Sequence, residues 1–214
     1  MMGSWRLLRK DFNMKIVFAT GNEHKLEEVR AILSDIAEEI VSMKSAGIDV
    51  EIVEDGKTFE ENAMIKARTI AQYTDALVLA DDSGLEVDYL NGEPGIYSSR
   101  YMGEDTPYPV KNQAIIGRLQ DAKEQERSAR FVCAIAAILP EKDGVRKELC
   151  VRGTFEGFIA HEIAGGNGFG YDPIFYVPEC GCTSAQLTPE EKNARSHRGD
   201  ALRKMRALLE KEGF

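Results

Sequence analysis

Apolar residues along this chain come in blocks of two different periods, and the blocks alternate. Lys15-Ile16-Val17-Phe18-Ala19 is an apolar run of strand length, and after Thr20-Gly21-Asn22 the residues Leu26, Val29, Ile32 and Leu33 recur at helical spacing. A strand, a tight turn and a helix are predicted there. Thr58 with Glu61 three residues on reads as a capping box for a helix to about Tyr73. Ala76 to Ala80 reads as a buried strand, ended by Asp81-Asp82-Ser83-Gly84. Leu85 to Leu90 alternates as a further strand, stops at the turn signal Asn91-Gly92, and gives way to a Gly- and Pro-rich loop up to Pro109.

A helix follows at about 110–122. Phe131–Leu139 and Leu149–Ile159 are β-rich runs joined by the polar Glu141-Lys142-Asp143-Gly144 turn, which predicts an antiparallel pair and therefore a mixed sheet. Ile174 to Val177 is another strand. Thr188-Pro189-Glu190-Glu191 carries the N-cap, N1 proline and N3 glutamate of a helix start. Ser196-His197-Arg198-Gly199 then interrupts the helical region before a last apolar stripe of Leu202, Met205, Leu208 and Leu209. The fold class is α/β.

Composition narrows the partners. With 214 residues, of which 43% are hydrophobic, the chain can bury one core; residues 14–214 are read as a single domain. The formal charge of -9 argues against broad attraction to a nucleic acid polymer or an anionic membrane, and a small anionic ligand fits better. No apolar segment approaches the roughly 20 residues of a membrane span. Residues 1–13 lack the apolar core of a signal peptide and are read as a flexible N-terminal extension ahead of Met14. Cys133, Cys150, Cys180 and Cys182 stand in unrelated contexts, which suits reduced thiols and a cytoplasmic location. Cys180-Gly181-Cys182 lacks the second ligand pair of a zinc site.

Four segments carry candidate chemistry. Thr20-Gly21-Asn22-Glu23-His24-Lys25 lies where a strand hands over to a helix, so backbone N–H groups, the helix dipole and the Lys25 ammonium converge on a place suited to phosphate. The same residues also suit a plain N-cap at Asn22 and a solvated Lys25. Asp81 and Asp82, with Glu54 as a third acid, suit a hard cation and a proton acceptor, or else a solvated turn. Asn62 and Lys66 share one helix face. Phe169-Gly170-Tyr171-Asp172-Pro173, behind Gly165-Gly166-Asn167-Gly168, combines an aromatic ring with glycines that admit a close ligand, as the floor of a base pocket would, or else is plain turn chemistry entering the next strand. Ser196-His197-Arg198 offers a hydroxyl, an imidazole and a guanidinium at a helix break, or else is a plain polar helix junction. Without a G-x-S-x-G elbow it does not read as a protease triad.

In order, T-G-N-x-x-K (20–25), E-D-G-x-T-F-x-E-N-A (54–63), A-D-D-S-G-L (80–85), P-G-I-Y-S-x-R-Y (94–101), F-G-Y-D-P (169–173) and S-H-R (196–198) resemble the inosine/xanthosine triphosphate pyrophosphatase family. The resemblance runs from Met14 to the last helix. It implies an elongated mixed β-sheet flanked by helices, with two lobes, a central substrate cleft and a homodimer. It implies magnesium-dependent hydrolysis of deaminated purine nucleoside triphosphates (ITP, dITP, XTP) to the monophosphate and pyrophosphate. Under it, residues Thr20, Gly21, Asn22, Glu23, His24, Lys25 and Lys66 bind substrate, Glu54 and Asp82 hold Mg²⁺, and Asp82 accepts the proton of the attacking water. Ser83 contacts substrate, Phe169 stacks on the purine with Gly170, Tyr171 and Asp172 around it, and Lys192, His197 and Arg198 complete the pocket. A pyrophosphatase for other altered nucleotides, such as modified pyrimidines, and a triphosphate sensor without hydrolysis are the competing readings.

Overall fold

A computed structural model describes residues 14–214; the expected N-terminal extension, residues 1–13, lies outside the described residues. The strands are β1 (Lys15–Phe18), β2 (Glu39–Ser42), β3 (Leu77–Val87), β4 (Ser128–Ile138), β5 (Glu148–Ile159), β6 (Phe175–Val177) and β7 (Cys182–Thr183). They form one mixed sheet in the order β2-β1-β3-β4-β5-β6-β7. β1 is parallel to both β2 and β3, and every later pair is antiparallel. The helices are α1 (Glu23–Leu33), α2 (Phe59–Ala71), α3 (Tyr108–Arg118), α4 (Pro189–Arg195) and α5 (His197–Lys211).

Side-chain alternation divides the core between the two faces of the sheet. Leu77, Leu79, Cys133 and Ile135 pack with Leu26, Val29, Leu202 and Met205 of α1 and α5. Val78, Ala80, Ala134 and Ala136 pack with Phe59, Ala63 and Ile70 of α2. Strands covered on both faces are apolar almost throughout, which is why β4 reads as a continuous run. A third cluster, with Leu85, Val87, Ile115, Phe155 and Phe175, holds the far part of the sheet under α3.

The two strands expected on either side of Asp81 are one. β4 gives every residue of β3 from Val78 (opposite Ile138) to Val87 (opposite Ala129) a register partner, so cross-strand pairing carries two aspartates through the strand. Asp81 and Asp82 are therefore mid-strand, not in a turn at its end. At Thr58 only half a capping box forms: its hydroxyl accepts the Glu61 N–H at 3.1 Å, while the Glu61 carboxylate turns to the Lys57 N–H at 2.6 Å. The box at Thr188 is complete. Lys142 and Val145 exchange both backbone bonds across Asp143 (φ 54°) and Gly144 (φ 78°), the mirror-image turn that suits strand twist. α5 lies directly on β5, because a Cβ at Gly153 would collide with the His197 carbonyl and Ala201.

Candidate active site

β1 pairs with β3 only as far as Phe18 opposite Leu79, with one more bond from the Ala19 N–H to the Leu79 carbonyl at 2.8 Å. The chain takes up that strand again at Leu85, whose N–H donates to Ser98 Oγ at 2.9 Å. Between these points a cleft of about 470 Å³ opens beside Asp81, Ser83 and Gly84, off the carboxyl end of β1. Ligands in α/β sheets collect at such ends.

Thr20, Gly21, Asn22, His24, Lys25, Glu54, Lys66, Ser83, Phe169, Gly170, Tyr171, Asp172, Lys192, His197 and Arg198 all line this cleft. Glu23, exposed at the start of α1, does not, and Asp82 stands just behind the wall, bonded to Lys66. The structure adds Ser98, Ser99 and Tyr108 to the lining. The serines fall inside the P-G-I-Y-S-x-R-Y motif, whereas nothing in the sequence flags Tyr108, which comes from the start of α3.

Asn22 caps α1, its Oδ1 accepting the N–H groups of His24 at 3.0 Å and Lys25 at 3.4 Å. Those two donors are thus occupied rather than presented free. Lys25 is not a solvated charge: its Nζ lies 3.1 and 3.0 Å from the two carboxylate oxygens of Asp81. Arg198, fully buried, donates from Nε and Nη2 to Asp81 Oδ2 at 3.2 Å each and from Nη2 to Ser83 Oγ at 3.1 Å, while Nη1 binds Glu28. Of the five N–H groups of a guanidinium, one on Nη1 is left.

Asp82 faces the other way. It accepts from Asn62 Nδ2 at 3.2 Å and Lys66 Nζ at 3.3 Å, and Lys66 also donates to Glu54 at 2.9 Å. The two aspartates diverge in acidity. Burial disfavours the charge of both, but at Asp81 the cations Lys25, Arg198 and Lys66 outweigh it and hold the carboxyl well below the usual range. At Asp82 burial prevails over Lys66 and the Asn62 hydrogen bond, and Glu54 adds to it, so the pKa is raised.

At the other end, Asp172 is buried and props the loop. Its Oδ2 accepts the Phe169 N–H at 2.8 Å and Lys192 Nζ at 2.7 Å, and its Oδ1 accepts from Ser184 Oγ at 2.7 Å. Gly168, at φ 75°, is required because a Cβ there would meet the Asp172 carboxylate. Lys192 Nζ lies 4.9 Å from the Phe169 ring centroid. Tyr171 donates its hydroxyl to the Ser98 carbonyl at 2.7 Å and meets Tyr108 edge-on. His197 stacks on Phe131 at 5.0 Å with Nδ1 buried and unpartnered, and burial, then the charges of Arg198 and Lys192, keep it neutral with a pKa well below the ordinary value.

The family model described as the Ham1 family matches residues 16–208. This chain belongs to the Ham1 family. It is 46% identical over 201 residues to a dITP/XTP pyrophosphatase of Clostridium perfringens, covering 91% of this chain and 97% of that protein. It is 47% identical over 191 residues to the dITP/XTP pyrophosphatase of Photorhabdus laumondii, covering 89% of this chain and 95% of the other. Among solved structures, a HAM1 protein from Coxiella burnetii superposes with a TM-score of 0.82 at 44% identity, and the Staphylococcus aureus Ham1 protein with 0.82 at 40%. Each covers 92% of this chain and 99% of its own. The mixed α/β sheet is thus the family's fold.

Proposed function

We propose that this Ham1-family protein hydrolyses deaminated purine nucleoside triphosphates (ITP, dITP and XTP) to the monophosphate and pyrophosphate, and so removes them from the nucleotide pool. The observation that carries this reading is that the adjacent carboxylates of Asp81 and Asp82, one lining the cleft and one just behind its wall, are held by different partners, Lys25 and Arg198 on one side and Asn62 and Lys66 on the other. Adjacent carboxyl groups pushed apart in acidity mark a division of labour between fixed charge and proton acceptor. Asp81 orders the cations; Asp82, with raised proton affinity, takes the proton of the attacking water.

Thr20, Gly21, Asn22 and Lys25 hold the phosphates, Lys25 balancing charge on the leaving pyrophosphate. Ser83 contacts substrate from β3. Phe169 stacks on the purine, with Lys192, His197 and Arg198 closing the pocket. The remaining Arg198 N–H suits a 6-keto oxygen, whereas the amine of adenine would leave that donor without an acceptor. Glu54 and Asp82 are hard oxygen donors drawn to the same ammonium, Lys66. Mg²⁺ is commonly held by one or two carboxylates plus substrate phosphates, so this donor set fits it. Bound there, Mg²⁺ would neutralise phosphate charge and acidify water.

The chain is further proposed to act as a homodimer in the cytoplasm. Tyr97, Met102 and Val110 are exposed within one segment and give a second copy apolar surface to cover. All four cysteines are free, and no helix among the described residues is long and apolar enough to cross a membrane.

Incubation with inosine, xanthosine, adenosine, guanosine and modified pyrimidine triphosphates, with and without magnesium, tests the reading. Pyrophosphate release from the inosine and xanthosine substrates, dependent on magnesium, is expected. Orthophosphate as sole product, or equal rates on adenosine triphosphate, would overturn it.

A further inference from the structure

His24 lies in the phosphate loop, yet its ring turns toward the base end. It lies nearly parallel to Phe169, with 15° between the planes and 6.0 Å between centroids. The two rings come from separate elements and each has a fixed backbone. The His24 N–H is held by Asn22 Oδ1 in the first turn of α1, and the Phe169 N–H by buried Asp172. The pair also divides two spaces, since both rings line the main cleft and a neighbouring groove of about 390 Å³ between α1 and α4.

We propose that His24 is the second wall of an aromatic clamp, and that the purine of the substrate is held between its imidazole and the Phe169 ring. A stacked layer takes about 3.4 Å, so a base between two rings needs about 7 Å. With their centroids 6.0 Å apart the two rings must separate to admit a base, and the His24 side chain, 74% exposed, is free to make that move. Stacking uses the π face, which every purine has, so the clamp supplies affinity for the ring. Selection among purines stays with donors at the base edge, such as the free Arg198 N–H. A base so placed would keep the His24 imidazole off the phosphates. The proposal rests on the nucleotide reading above.

Its test is calorimetric titration of wild type, His24→Ala and His24→Trp with inosine monophosphate and, separately, with inorganic pyrophosphate, together with steady-state kinetics on inosine triphosphate. Inosine monophosphate should bind about 10-fold more weakly to His24→Ala and at least as tightly to His24→Trp, whose emission it should quench. Pyrophosphate should bind all three alike, and the alanine variant should raise KM with kcat held. Unchanged inosine monophosphate affinity in His24→Ala would overturn the clamp. So would parallel weakening of pyrophosphate, which would make His24 a phosphate ligand. If the wild type binds inosine monophosphate but releases no pyrophosphate from the triphosphate, the hydrolytic reading fails while the binding comparison still decides the clamp.

Discussion

Asp81 and Asp82 are consecutive residues of β3 whose carboxylates leave opposite faces of the sheet and meet opposite partners. Asp81 turns toward α1 and α5 and binds Lys25 and Arg198; Asp82 turns toward α2 and binds Asn62 and Lys66. Asp81 lines the cleft that opens where β1 stops short of it, and Asp82 stands just behind the wall, bonded to Lys66. The same amino-acid type is thus held as a carboxylate by neighbouring cations on one face and has its pKa raised by burial on the other.

Asp82→Asn keeps the shape and the Asn62 contact but removes the carboxylate proposed to accept the proton of the attacking water. Turnover of inosine triphosphate should fall by about 10²–10⁴, with little change in Tm, since burial already disfavours the charge that is lost. A kcat near wild type would remove Asp82 from the mechanism.

Asp81→Asn is expected to act mainly on stability. It strands two cations, one of them fully buried, and breaking a buried pair from one side costs about 3–5 kcal/mol. Urea unfolding of both asparagine variants provides the check: the Asp81 variant should be much the less stable, and the reverse order would contradict the assigned roles.

His197 ties stability to pH. Its folded pKa is depressed by burial, so the unfolded chain takes up a proton near pH ~6.5 that the folded protein refuses. Stability from this group is intact above that pH and is lost as the pH falls, by up to about 1.4 kcal/mol per unit. His197→Phe keeps a ring against Phe131 and should flatten this slope between about pH 7 and 5. Parallel unfolding curves for the two proteins would refute the assignment.

Gly153→Ala should push the first turn of α5 off β5, at a cost of about 1–3 kcal/mol, and should lower kcat/KM because His197 and Arg198 ride on that turn. Gly117→Ala is the control. Nothing lies within 4 Å of a Cβ there, and the position is inside α3, so a gain of about 0.5–1 kcal/mol is expected. If both substitutions behave alike, α5 is less tightly seated than its contacts imply.

Local chemistry was legible without coordinates wherever a signal sits within a few residues. The Lys15 strand, the Thr188 capping box, the Asp143-Gly144 turn and the Ser196 helix break are all where periodicity, caps and turn residues put them. The ordered motifs likewise carried the family and most residues that line the cleft, but not Ala19, Met43, Ile52, Lys66, Tyr108, Phe131 or Lys192. What they could not carry is partnership across long separations. That β3 continues through two aspartates depends on β4, more than forty residues later, supplying a partner at every position. Lys25 and Arg198 read as free donors because Asp81 and Glu28 come to them only in the folded chain, where burial makes each unpaired charge costly. Residue order alone tells which polar and charged groups this chain owns. The tertiary structure decided which are already spent on one another, because a hydrogen bond or ion pair is settled by distance in space and by exclusion of water, and neither is written in residue order.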